Sequence, residues 1–86
     1  MDVGGVEQIV DRMRRAPAGV RFQELVRVCD HYFGEARQGS SSHRVYGTPW
    51  RGDPRANIQN KAGSAKPYQV RQVLAAIDRL EQEGTS

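Results

Sequence analysis

The 86-residue sequence has one cysteine, Cys29, and two histidines, His31 and His43. No internal disulfide can form, and the paired Cys and His ligands of a structural zinc motif are missing. Apolar runs are only a few residues long, which excludes a membrane span of about 20 residues. The first residues lack the basic-then-apolar layout of a secretory signal. Together with the lone cysteine, this points to the reducing cytoplasm. A chain this short has room for one core, so residues 1–86 are expected to form a single domain. It buries only about 60–65% of its unfolded surface, and a partner adds stability to so thin a core.

Acidic residues are scarce in one region only. Between Arg37 and Arg71 stand seven cations, Arg37, Arg44, Arg51, Arg55, Lys61, Lys66 and Arg71, against the single carboxylate of Asp53. That stretch carries +6 in a chain whose total is +3, which leaves −3 for the flanks. A positive centre between acidic ends is the footprint of an anionic partner, unless it is simply a solvated basic surface.

Three stretches have helical spacing. Val6, Ile9, Val10 and Met13 recur at i, i+3, i+4 and i+7, which predicts a helix over about Val3–Arg15. Pro17 and Gly19 end it in a short turn. Phe22, Leu25, Val26, Cys29, Tyr32 and Phe33 predict a second helix, stopped by Gly34. Val70, Val73, Leu74, Ile77 and Leu80 predict a third over about Pro67–Glu83, with Pro67 suited to a first helical turn.

Between Glu35 and Asn60 the helical period disappears. Extended segments are expected at about Glu35–Gln38, His43–Thr48 and Arg55–Asn60, the last two joined through residues 49–54. The order α-α-β-β-β-α makes an α+β domain, with a three-stranded antiparallel sheet covered on one face by the second and third helices.

Cleaving RNA without a metal needs a base for the 2′-OH, an acid for the leaving 5′-oxygen, and cations for the phosphorane. Histidine serves either proton role near neutral pH, and Lys or Arg supplies the charge. His43, between Ser42 and Arg44, follows the flexible Gly39–Ser42 run, so it is either that proton-transfer group or a surface strand residue. Tyr46 and His43 fall on opposite strand faces, but Val45 shares parity with His43 and leaves the register open. His31 sits off the apolar stripe near a helix end, where a surface role suits it. Trp50 either stacks on a base or pins a turn. Tyr46 and Tyr68 fit partial core positions better than stacking platforms. The Lys61–Lys66 stretch is either a phosphate-binding approach to the third helix, with Arg71 close behind, or a plain connector.

Three blocks carry a family resemblance: Gly39-Ser40 with Ser42-His43-Arg44-Val45-Tyr46, then Ala56-Asn57-Ile58-Gln59, then Gly63 followed by Ala65-Lys66-Pro67-Tyr68-Gln69-Val70-Arg71-Gln72-Val73-Leu74. Together they resemble the HicA family, the mRNA interferase toxins of HicA–HicB toxin–antitoxin systems, over about Phe22–Leu80. The resemblance implies a double-stranded-RNA-binding-domain-like fold over residues 22–83 and a metal-independent endoribonuclease without a cofactor. It maps the catalytic histidine onto His43. From the charge and stacking chemistry of the residues themselves, Ser42, Arg44, Trp50, Lys61, Lys66 and Arg71 are expected to bind RNA. The resemblance also implies a HicB-type antitoxin partner that forms a hetero-oligomer over the active face, and no membrane. The family commonly sets Gly-Ser directly before its histidine, whereas three serines separate Gly39 from His43 here. The helix at 3–15 looks like an addition to the minimal domain, for dimerisation or antitoxin docking. A non-catalytic RNA- or protein-binding module on the same fold is the alternative.

Overall fold

The computed structural model describes residues 3–40, 42–48 and 55–84. Its helices follow the apolar spacing. α1 (Val3–Arg15) buries Val6, Ile9, Val10 and Met13, and α2 (Phe22–Phe33) buries Phe22, Leu25, Val26, Val28 and Cys29. One 3-10 turn, Pro17–Gly19, links them. At the start of α2 the Glu24 carboxylate accepts the Arg21 N–H at 3.2 Å. At its end Gly34 takes φ +80°, a conformation open to a residue without Cβ, and its N–H donates to the Asp30 carbonyl. α3 (Pro67–Gly84) begins on the expected proline.

Between α2 and α3 lies an antiparallel meander of four strands, not three. They are β1 (Gln38–Gly39), β2 (His43–Tyr46), β3 (Ala56–Lys61) and β4 (Ser64–Ala65), adjacent in that order. The extra strand comes from the Lys61–Lys66 stretch, which is a two-residue hairpin and not a loose connector. Lys61 pairs with Ser64 and Asn60 with Ala65 around Ala62 and Gly63, both at positive φ (53° and 87°). Two left-handed residues in succession give a turn whose twist matches its strands. The Asn60 side-chain oxygen accepts the Gly63 N–H at 2.6 Å and closes it. Alanine in the first turn position hid this hairpin, because sequence patterns mark such turns by Asn-Gly or Asp-Gly. The first strand also falls at Gln38–Gly39 instead of Glu35–Gln38, and β2 stops at Tyr46 instead of Thr48. The expected 49–54 connection lies outside the described residues.

α2 and α3 both pack on β3, and α1 packs in turn on α2 and α3. One apolar cluster joins all of them, with Met13, Phe22, Leu25, Tyr46, Ile58, Val70 and Ile77 fully buried. Burying a side chain of this size contributes ~1.5–3 kcal/mol. The apolar stripe of the 3–15 helix is therefore spent inside this chain's own core. Ion pairs Arg12–Glu24 and Arg14–Asp78 tie α1 to its two neighbours. Both are solvent-exposed, so each adds at most about 1 kcal/mol and orients more than it holds. No helix among the described residues is long and apolar enough to cross a membrane.

The segment before α2 closes the outer edge of β4. Ala65 N–H donates to the Val20 carbonyl at 2.9 Å, Phe22 N–H to the Gly63 carbonyl at 3.0 Å, and Arg21 bridges Ser64. At the other end of the sheet Gly39 faces Arg44 across the ladder. A Cβ on Gly39 would stand about 3.0–3.3 Å from Arg44 and the His43 carbonyl, so glycine lets β1 approach this closely.

Tyr46 is the largest of the fully buried side chains, and its hydroxyl donates to Asp30 Oδ1 at 2.8 Å. Burial, then the Asp30 carboxylate, push the phenol well above its ordinary range. An unfolded tyrosine ionises near pH 10 while the folded one stays protonated. Its contribution to stability is thus complete below about pH 10 and declines as pH rises further. Tyr46→Phe is expected to cost about 1 kcal/mol at neutral pH and to make the alkaline fall in melting temperature shallower. Melts of both proteins from neutral to strongly alkaline pH check this; parallel alkaline slopes would exonerate the hydroxyl.

Candidate functional site

With Tyr46 turned into the core, strand alternation settles the rest of β2. His43 leaves on the face away from the helices and is exposed. Its cross-strand neighbour is Gln59 on β3. Lys61 lies two residues further along β3 on the same face, opposite Ser64, and Lys66 follows β4 directly. Ser42, His43, Gln59, Asn60, Lys61 and Lys66 line one open depression of about 410 Å³. None of the residues lining it is acidic.

The backbone under His43 is held from two sides. Ser40 N–H donates to the His43 carbonyl at 2.7 Å, and Asn60 N–H donates to the Ser42 carbonyl at 2.8 Å. The serine run is tied to itself as well, with Ser42 N–H donating to Ser40 Oγ at 3.3 Å. The Ala62–Gly63 turn meanwhile brings Lys61 and Lys66 to the same end of the sheet. One imidazole and two ammonium groups thus share a wet, polar concavity, a combination suited to a phosphate ester.

Four of the expected site residues meet here: His43, Ser42, Lys61 and Lys66. Arg44 does not. Its cross-strand partner is the fully buried Ile58, so it emerges on the helix side of the sheet. There it lines a different depression with Asp30, Gly34, Glu35, Ala36, Gly39 and Ser40. Its Nε is buried without a hydrogen-bond partner among the described residues. Arg71 is exposed on α3 and does not line the His43 depression. Trp50 lies outside the described residues. His31 is exposed at the end of α2, edge-on to the Tyr32 ring. Cys29 is fully buried, and burial pushes its thiol far up, which removes it as a nucleophile. No group of three or more His, Cys, Asp or Glu side chains converges among the described residues.

Two residues stand out that the sequence reading did not single out or placed differently. Gln69 is 3% exposed, and its Oε1 accepts the Gln59 N–H at 2.8 Å. β4 is too short to reach that amide, so the side chain completes the sheet edge beside the depression. The signal was present: Gln69 stands four and eight residues before Val73 and Ile77, on the buried face of α3. Tyr68, expected as a partial core residue, is 53% exposed. Its neighbours on the helix surface are Arg71 and Gln72, both exposed.

No protein-family model, curated protein or solved structure matches this chain.

Replacing Gln69 by leucine leaves the half-buried Gln59 N–H without its acceptor. The expected cost is about 1–3 kcal/mol in chemical denaturation, although leucine suits the helix. Unchanged stability would show that the amide finds another partner.

Proposed function

We propose that this chain is a metal-independent endoribonuclease of the HicA type that cleaves mRNA in the cytoplasm, and that a HicB-type antitoxin restrains it. The observation that carries this reading is the convergence of His43, Lys61 and Lys66 on one open depression. In this scheme His43 takes the proton of a ribose 2′-OH. The freed oxygen attacks the adjacent phosphorus, a 2′,3′-cyclic phosphate forms, and the 5′-oxygen leaves with a proton drawn from water. Lys61 and Lys66 lie against the non-bridging oxygens, where negative charge grows in the transition state. Gln59 and Asn60 offer amide groups at the same wall. The double-stranded-RNA-binding-domain-like description of the fold belongs to this proposal too.

His43→Ala is expected to lower cleavage of an RNA oligonucleotide by about 10²–10⁴-fold with the melting temperature unchanged, since the imidazole is exposed. Growth arrest on induction without an antitoxin should disappear with it. The described residues hold no carboxylate or imidazole cluster for a divalent ion, so cleavage should survive excess chelator. Wild-type rates in folded His43→Ala protein, or loss with chelator and rescue by Mg²⁺, would sink the mechanism.

Lys66→Glu is expected to weaken RNA binding at every sequence, because phosphate contacts position without specifying. It should also flatten the dependence of affinity on salt, as fewer counterions are released. Titrations at several salt concentrations read both effects. Unchanged affinity and slope would place the RNA on another surface.

A further inference from the structure

We infer that Tyr68 is a base-stacking platform, and that the nucleic acid bound at the His43 depression is single-stranded there. The inference rests on the ribonuclease reading for the depression, but on separate observations for the ring.

Tyr68 is the large hydrophobic side chain left exposed among the described residues. Its surroundings distinguish it from a stray surface aromatic. It follows Lys66 by two residues, and Lys66 lines the depression. Arg71 stands one helical turn further along the same exposed face of α3. From Arg55 to Ile77 the sequence has no Asp or Glu. An exposed aromatic ring thus stands between two cations, Lys66 and Arg71, in a stretch of sequence without a carboxylate. Such interleaving of cations with an aromatic ring is how proteins follow a single strand, with cations on phosphates and rings under bases.

The ring is also coupled to the site's framework. Gln69 Nε2 lies 3.4 Å from the Tyr68 hydroxyl, and the same amide's Oε1 accepts the Gln59 N–H. Gln59 is the cross-strand neighbour of His43 and lines the depression. Through one buried amide, the ring's position is tied to the strand that presents the histidine. A base can lie on that ring only if it is free of its own stack and pair, which a duplex does not allow. The substrate class that follows is unpaired RNA, with the base of a nucleotide next to the reacting phosphate on Tyr68.

The test uses a labelled oligonucleotide with 2′-O-methyl groups throughout, which lacks the attacking hydroxyl and cannot be cleaved, as a single strand and annealed to its complement. Fluorescence anisotropy gives the affinity of wild-type protein, Tyr68→Ala, Tyr68→Phe and Tyr68→Trp. Tyr68→Ala should bind the single strand about 5- to 150-fold more weakly. Phe and Trp should restore binding, and affinity for the duplex should not respond to the residue at 68. Equal single-strand affinity of wild-type and Tyr68→Ala proteins would overturn the inference. So would a loss in Tyr68→Phe equal to that in Tyr68→Ala, a parallel loss on the duplex, or no binding of the single strand by wild-type protein. If Tyr68→Ala keeps its RNA affinity but no longer associates with a protein partner, the ring belongs to a protein interface and the inference fails. Because this readout involves no cleavage, it stands or falls separately from the His43→Ala experiment.

Discussion

The depth of Tyr46 governs the arrangement of everything around the candidate site. A β-strand turns successive side chains to opposite faces, so anchoring one residue fixes its neighbours. Tyr46 is buried in the core with its hydroxyl on Asp30. His43 is thereby sent to the open face, and Arg44 to the helix side. A slip of one residue in β2 would exchange those two, placing the imidazole against helix α2 and the guanidinium beside Lys61 and Lys66. The apolar packing of a phenol therefore decides which polar groups share a surface.

Helices were the legible part of this sequence. Their apolar residues recur every three or four positions, and Gly34 and Pro67 mark boundaries by backbone chemistry alone. Strands were less so, because β1 and β4 have two residues each and no periodicity can be read from two residues. β4 exists through a turn that includes Ala62 at positive φ, a conformation alanine takes only when the surrounding strands require it. Here Asn60 on one side and the Val20–Phe22 segment on the other supply that requirement.

For the site, His43, Ser42, Lys61 and Lys66 could be named from the chain, but that Arg44 would part from them could not. The parity of β2 stayed ambiguous because Val45 is buried as well, on the His43 face and outside the main core cluster. Gln69 and Tyr68 were readable in principle from the wheel of α3, where one falls on the buried face and its neighbour on the exposed one. What concealed them was residue type: a glutamine does not suggest a core position, nor a tyrosine an open one.

The bonds between Val20–Phe22 and Gly63–Ala65 join parts of the chain that are more than 40 residues apart in sequence. Such contacts close a long loop, and the packing on both sides of it offsets the entropy lost. α1 with α2, and the strand meander by itself, are by contrast local units. The junction couples the two halves, because separating them breaks the bonds along the outer edge of β4. Lys61 and Lys66 flank that strand. The shared depression is therefore a property of the finished molecule, because it needs the two lysines and the histidine together.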